Sequence, residues 1–337
     1  MYRERYQEIV NTFAGRSIVV LGDLMMDEYL WGRATRISPE SPVMVVEVER
    51  DSRVPGGAAN VVNNILALGG SVSVIGVVGD DTPGRALIEA LRESGANVAG
   101  IVTDDSRPTT QKTRVVAHSQ QVLRVDREQT DRVDGAVAAK LLSCLHDAIR
   151  NADAVLISDY NKGVLTPEVA GEIVSIGRAE AGKLVTANPK PANARMLGGC
   201  DVVTLNQSEA ESLIGEGAFS EGDGLDEAGR RLIRDLGVRS LVVTRGSRGL
   251  SVWSENDRVS HISAHPVEVY DVAGAGDTVI SALTLGLAAG APIEEAAVVA
   301  NHAAACVVRK VGVATVSPEE LLADWWADSE NMDAPRS

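Results

Sequence analysis

The chain has 337 residues, 45% hydrophobic and 23% charged, enough for a large buried core and too apolar for a disordered segment. Thirty-two Lys and Arg stand against 47 Asp and Glu, a net charge of −15. That balance argues against general affinity for nucleic acid or an anionic membrane, since both need a cationic face. Aromatics are only 3%, so Val, Leu, Ile and Ala must fill the core, as they do in buried parallel strands and the helices covering them.

Met1–Arg5 lacks the apolar run of a secretory signal, and Val279–Ala291, the most apolar stretch, is too short to span a bilayer. The expectation is a cytoplasmic protein. Ser17–Leu21 reads as a buried strand closed by Gly22-Asp23. Ligands in parallel α/β sheets collect at strand C-termini, so Asp23 is a candidate for contact with a polyol, with a plain turn residue as the equal alternative. Val43–Val48, and later Lys112–Asp126 as two strands around a polar turn, alternate with period two. They predict a small β flap with one exposed face, able to cover a site or pair with a second subunit.

Pro55-Gly56-Gly57-Ala58-Ala59-Asn60 predicts a tight turn opening the helix Ala58–Leu68. Its glycines would let backbone approach a ligand, and Asn60 can both donate to and accept from sugar hydroxyls. The strand Val72–Val78 and helix Gly84–Ser94 flank Gly79–Ala86, which almost spells a phosphate-binding P-loop. It fails at both decisive positions, where Arg85 and Ala86 replace Lys and Ser/Thr. Arg107, Lys112, Arg114 and Arg124 are a local cationic excess on or beside the flap. They read either as a solvated strand face or as groups reaching a substrate phosphate, for which arginine's fork is suited.

Helices Gly135–Arg150, Pro167–Ala181 and Asp226–Leu236 alternate with strands Ala154–Ile157, Leu184–Ala187, Val202–Leu205 and Leu241–Thr244. Thr166-Pro167 is an N-cap with proline at the first helical position, and Ser317–Glu320 adds a capping box to the same device. Asn206-Gln207-Ser208-Glu209 starts a helix, where Asn206 and Glu209 share one face. They could hold a hydrated Mg²⁺, or serve simply as cap and third residue. His261 and His265 are four apart, but Pro266 argues against a helical zinc pair. Cys144, Cys200 and Cys306 are far apart and read as buried thiols of a reducing compartment.

The strongest local signal is Tyr270-Asp271-Val272-Ala273-Gly274-Ala275-Gly276-Asp277-Thr278, leading into the apolar helix Val279–Ala289. Small residues there let backbone curl around a ligand, and the unpartnered first-turn amides with the helix dipole make an anion hole. Asp277 at that turn could accept a proton from an attacking hydroxyl; the alternative is an ordinary helix cap. The whole pattern predicts an α/β fold: a mostly parallel sheet with helices on both faces and a small β lid. One domain is expected over residues 1–326, with lid segments at about 30–54 and 105–128 and a polar tail at 327–337.

Together these residues resemble the ribokinase-like (PfkB) family of sugar kinases, whose two signatures correspond to Pro55–Asn60 and Asp271–Thr278. Within it, Arg36–Pro42 (RISPESP), Gln120–Asp126 (QQVLRVD) and Ser158–Gly163 (SDYNKG) are similar to the kinases that phosphorylate D-glycero-β-D-manno-heptose 7-phosphate at C1. The resemblance implies a three-layer ribokinase-like sandwich, with ATP and Mg²⁺ as cofactors. It implies Asp277 as catalytic base, the amides of Ala275, Gly276 and Asp277 as anion hole, and Gly274 as part of the same catalytic turn. Asn206, Gln207, Ser208 and Glu209 would lie at the ATP phosphates and magnesium, Thr244, Arg245 and Gly246 at the nucleotide pocket, and Asn301 near the adenine. Asp23, Gly56, Gly57 and Asn60 would hold the sugar, with Arg107 and Lys112 toward its phosphate, and the lid would be shared across a homodimer.

Asn188-Pro189-Lys190 departs from the Asp-Pro-Lys frequent in relatives, and Ala273 replaces a usual Thr. Many relatives continue into a nucleotidyltransferase domain with an HxGH motif that this sequence lacks, so the expectation is a separate protein for any adenylylation. A different PfkB kinase, or a non-catalytic sugar or nucleotide sensor, are the rival readings.

Overall fold

The computed structural model describes residues 1–118, 120–179, 183–219, 222 and 224–333, with side chains to 326. Its main layer is a nine-stranded sheet in the order β13-β12-β11-β10-β9-β8-β1-β4-β5. The parallel strands are β1 (Ser17–Gly22), β4 (Ser71–Val78), β5 (Asn97–Thr103), β8 (Ala154–Ser158), β9 (Leu184–Asn188), β10 (Val202–Asn206) and β11 (Ser240–Thr244). An antiparallel pair, β12 (Leu250–Ser254) and β13 (Val259–Ile262), finishes one edge. The lid is a second sheet, β3-β2-β6-β7, built from β2 (Leu24–Ile37), β3 (Met44–Gly57), β6 (Thr110–Ala117) and β7 (Gln120–Arg127).

Strand alternation sorts the core into two layers. Ile18 and Val20 of β1, Val74 of β4 and Leu156 of β8 point to one face. That face is covered by α1 (Arg3–Asn11), α2 (Ala58–Ala67), α3 (Thr82–Glu93), α9 (Ala275–Ala288), α10 (Ile293–Val307) and α11 (Pro318–Asp333). Val19, Leu21, Ile75 and Ile157 point to the other. There lie α4 (Gly135–Ile149), α5 (Pro167–Arg178), the short α6 (Pro191–Ala194), α7 (Gln207–Ile214) and α8 (Leu225–Leu236). Each fully buried Val or Leu contributes about 1.5–3 kcal/mol, so this two-sided burial is what fixes the sheet.

The expected parallel strands and most of their helices form where the sequence places them, to within a residue or two. The exceptions are α9, which starts at Ala275, four residues before the expected Val279, and α5, which ends at Arg178, short of the expected Ala181. Thr166 caps α5 by accepting from the Val169 amide at 3.3 Å, and Ser317 and Glu320 close the expected capping box at α11. The far end of the predicted helix Pro167–Ala181 and the turn residue Ser119 of the flap lie outside the described residues.

Two expectations need correction, and one rejection stands. The flap is larger than predicted, because residues 24–37 form a long strand. Pro55–Gly57 is the end of β3, paired with Leu24–Met26, and not a free turn. Gly57 alone turns the chain, at φ +55, into α2. The failed P-loop is a helix cap: Asp81 accepts from the Gly84 amide at 2.9 Å and from Thr109, which settles an acidic group where a phosphate would need amides.

Candidate active site

The C-terminal ends of β9, β10 and β11, and the loop that follows β8, open on one cleft. Asp277, in the first turn of α9, is only 6% exposed and faces it. Gly274 caps that helix in the left-handed region at φ +79, and a Cβ there would approach Asn60 Nδ2 to 2.9 Å, so only glycine brings loop and α2 this close. Both carboxylate oxygens of Asp277 are met by donors. The Tyr160 hydroxyl donates to Oδ1 at 2.6 Å, and Asn60 Nδ2 donates to Oδ2 at 2.7 Å. Burial pushes the pKa of Asp277 up to about 6, against the two hydrogen bonds and the positive charge of Lys190, which favour the carboxylate. Burial and the nearby Asp277 charge hold the Tyr160 phenol well above its ordinary range, so it stays a donor.

Behind this pair, Thr278 Oγ1 donates to Asn64 Oδ1 at 2.7 Å, and Asn64 Nδ2 donates to the Asn60 carbonyl at 2.9 Å, locking α2 to α9. The Ala275 amide donates to the Val272 carbonyl at 3.2 Å. It is therefore already committed, which corrects its expected place in the anion hole. The helix-start amides of Gly276 and Asp277 have no such backbone acceptor among the described residues, and nothing lies within 4 Å of a Cβ built on Gly276.

A cavity of about 140 Å³ lies against Asp277, Gly276 and Gly274, reaching Lys190, Asn206 and Glu209. Thr244, Gly276 and Val279 also line a neighbouring cavity of about 430 Å³, whose walls include Gly246, Leu250, Pro266, Val269 and Asn301. The cleft thus has a polar end at the carboxylate and a mainly apolar end beyond it. Asn301 Nδ2 is tied to the Ser263 carbonyl at 2.8 Å.

Asn206 and Glu209 do form the capping box of α7, each accepting the other's amide at 2.9 Å. Glu209 Oε1 also pairs with Lys190 Nζ at 2.6 Å, and that ammonium lies 5.3 Å from the Tyr160 ring centre. Gln207 pairs with Arg248, while Ser208 is exposed and lines neither cavity. Asn188 donates to Thr204 at the strand ends, 2.9 Å to the carbonyl and 3.1 Å to the hydroxyl.

Several predicted sugar-side residues turn out to be braces. Asp23 is 2% exposed and accepts the amides of Tyr160 (2.7 Å), Lys162 (3.0 Å) and Val164 (3.2 Å). Burial and the neighbouring Asp159 push its pKa up to about 6 despite those amides. It holds the loop that carries Tyr160. Arg107 spends its guanidinium on Asp104 and on the carbonyls of Lys162 and Asp131, at 3.1–3.2 Å. Lys112 is held by Asp126 and Glu128. A Cβ on Gly56 would fall 2.1 Å from Asp27 Oδ2, so that glycine serves strand packing.

Tyr160 is the site residue to which reading the sequence gave no catalytic place. Tyr160 stands in the segment Ser158–Gly163, but its meeting with Asp277, 117 positions on, is set by the fold.

The model of the pfkB family carbohydrate kinases matches residues 16–320. The chain belongs to that family. Curated pfkB relatives include the Bifunctional protein HldE of Trichlorobacter lovleyi, 41% identical over 96% of this chain, and that of Geotalea uraniireducens, 43% identical over 91%. The chain spans 65% and 62% of their respective lengths, less than two thirds. Solved pfkB-type folds similar to it include Arabidopsis thaliana ribokinase complexed with ribose and ATP, with a TM-score of 0.71 and 19% identity over 91% of this chain and 98% of that one. Phosphofructokinase-2 from Escherichia coli with potassium gives 0.76 and 19%, over 93% and 99%. The carbohydrate-kinase assignment and the ribokinase-like sandwich expected from the sequence therefore both hold. No described helix of this pfkB kinase is long and apolar enough to cross a membrane.

Proposed function

We propose that this kinase transfers the γ-phosphoryl group of ATP to the C1 hydroxyl of D-glycero-β-D-manno-heptose 7-phosphate, giving the 1,7-bisphosphate and ADP. The observation that carries the phosphotransfer is the position of Asp277, a buried carboxylate at a helix start with bare amides beside it and a cavity before it. The choice of sugar rests on the segments Arg36–Pro42, Gln120–Asp126 and Ser158–Gly163.

Asp277 takes the hydroxyl proton on a carboxylate lone pair left over by Asn60 and Tyr160, each oxygen having two. The amides of Gly276 and Asp277 offset charge developing on the transferred group. Thr244, Gly246 and Asn301 border the apolar cavity, which suits a nucleoside base. Oxygen donors facing the polar cavity fit a hydrated magnesium ion, with Glu209 as the group that would hold it once Lys190 turns to the phosphates. Such an ion supplies neutralisation of phosphate charge. Asn60 with the Gly57 turn borders the acceptor side, and the lid excludes water.

A screen of sugars for ADP release tests this reading. Heptose 7-phosphate should give the highest kcat/KM. A higher value on an unphosphorylated pentose would end the substrate assignment, and tight ATP binding without turnover on any sugar would leave only a sensor.

The lid also bears on assembly. Ile37 (68% exposed), Met44, Val48, Leu123 and Val125 leave β2, β3 and β7 with an uncovered apolar surface, and such patches mark interfaces. A second copy of the chain is the proposed occupant, with a separate nucleotidyltransferase acting on the product. Sedimentation velocity should show a dimer that the pair Leu123→Asp and Val125→Asp converts to monomer. A wild-type monomer at the same concentration would refute it.

A further inference from the structure

Away from the cleft, α10, α11 and α1 converge on a second group of polar side chains. His302 and Cys306 are four residues apart on α10, hence on one helical face. Asp324 reaches them from α11. His302 Nε2 lies 2.8 Å from Asp324 Oδ2, Cys306 Sγ lies 3.5 Å from the same oxygen, and Sγ and Nε2 are 3.9 Å apart. A tetrahedral site with zinc-like bonds of about 2.0–2.3 Å has ligand-to-ligand edges of about 3.3–3.8 Å. The three distances straddle that edge, so an ion between them asks only for small side-chain adjustments.

The supporting groups match. His302 is fully buried, and its ring is boxed by Tyr6 and Trp325, with ring centres at 5.6 and 5.3 Å. The Tyr6 oxygen sits 2.6 Å from Nδ1, fixing the ring so that Nε2 faces the other two ligands. A surface cavity of about 520 Å³, bordered by Cys306, Arg309, Lys310, Glu320, Ala323 and Asp324, gives an entry path and room for solvent. The cluster already holds a cation: Arg309 Nη2 lies 2.6 Å from Asp324 and 3.4 Å from Cys306 Sγ. That side chain is 36% exposed and borders the cavity, into which it can withdraw.

A nucleophilic Cys–His–Asp triad is a different arrangement. It needs one ring nitrogen on the sulfur and the other on the carboxylate, whereas here both approach Nε2 and Nδ1 belongs to Tyr6. Burial and Asp324 also push the Cys306 thiol up to about 12, far from a free thiolate.

We propose that His302, Cys306 and Asp324 form a binding site for one thiophilic divalent cation of the zinc class, with solvent from the adjoining cavity as fourth ligand and the Arg309 guanidinium displaced. As the Sγ–metal bond forms, the thiol proton passes to solvent. His302 then carries its proton on Nδ1, toward the Tyr6 oxygen, and Nε2 gives its lone pair to the ion. Thiolate and carboxylate together balance the two positive charges. The site is independent of the sugar that the cleft accepts.

Titration of the full chain with Co²⁺ tests it. One equivalent should produce a thiolate-to-cobalt charge-transfer band that Zn²⁺ abolishes at stoichiometry. Cys306→Ser should remove the band while Cys144→Ser and Cys200→Ser keep it, and Asp324→Asn should weaken binding by at least about tenfold. Arg309→Ala removes the competing cation and should tighten binding severalfold, an arm that stands even if Cys306→Ser fails to fold. No band with the wild-type chain, a band that survives Cys306→Ser, or weaker binding by Arg309→Ala would each overturn the proposal.

Discussion

Asp277→Asn is expected to lower kcat by about 10²–10⁴-fold, the range for loss of a positioned general base, while leaving nucleotide affinity nearly unchanged. The amide has the size of the carboxylate and keeps one oxygen for Asn60 or Tyr160, so the loss is of basicity more than of shape. The pH profile gives the sharper reading. Burial raises the Asp277 pKa from 3.8 to about 6. Below that pH the carboxyl is protonated and cannot accept a proton, so kcat/KM of the wild type should fall as pH drops through about 6, not through 4. The variant should lack this limb. Tyr160→Phe removes a donor that favours the charged form, so its limb should move to higher pH. A mild loss of kcat in Asp277→Asn, or an acid limb that persists in it, would remove Asp277 from the role of base.

The second large effect is on stability. Gly22→Ala places a Cβ 2.0 Å from the Ser158 carbonyl oxygen, 2.9 Å from its carbon and 3.0 Å from Ala58 Cβ. Those neighbours are the backbone of a central strand and the first turn of α2, which cannot yield as the tip of a flexible side chain would. A loss of about 2–4 kcal/mol is expected, read as a lower urea midpoint at unchanged slope. Gly135→Ala is the control: nothing lies within 4 Å of its Cβ, and its effect should stay within about 0.5 kcal/mol. An unchanged midpoint for Gly22→Ala would mean that β1 and β8 can separate at no cost at this point.

What the sequence makes legible follows burial symmetry. Strands such as SIVVL and AVLIS are apolar on both faces and short, and their alternation with amphipathic helices leaves few architectures. The strand Leu24–Ile37 escapes that reading because its inner half buries Asp27 and Glu28, which are paired with Arg114 and Arg53 from other strands. Charges of that kind read as solvent-facing until their partners are known. The helix Ile293–Val307 is buried around most of its circumference, so no polar stripe announces it. In the cleft, the Gly-rich turn and Asp277 are local signals. The bracing roles of Asp23 and Arg107 are not, because apart from Asp104 their partners lie in loops remote in sequence. For the same reason His302 and Cys306 look unremarkable until Asp324 is folded against them.

The junction between β1 and β2 is a single residue. Asp23 separates Gly22 from Leu24, its carbonyl accepts the Ala58 amide at 3.0 Å where β3 leaves the lid, and its carboxylate grips the loop of Tyr160. Two of the four chain connections between lid and main body, β1 to β2 and β3 to α2, therefore meet at the residue that also positions Tyr160. The anchorage of the cover and the placement of the phenol that donates to Asp277 thus depend on one and the same side chain and its carbonyl.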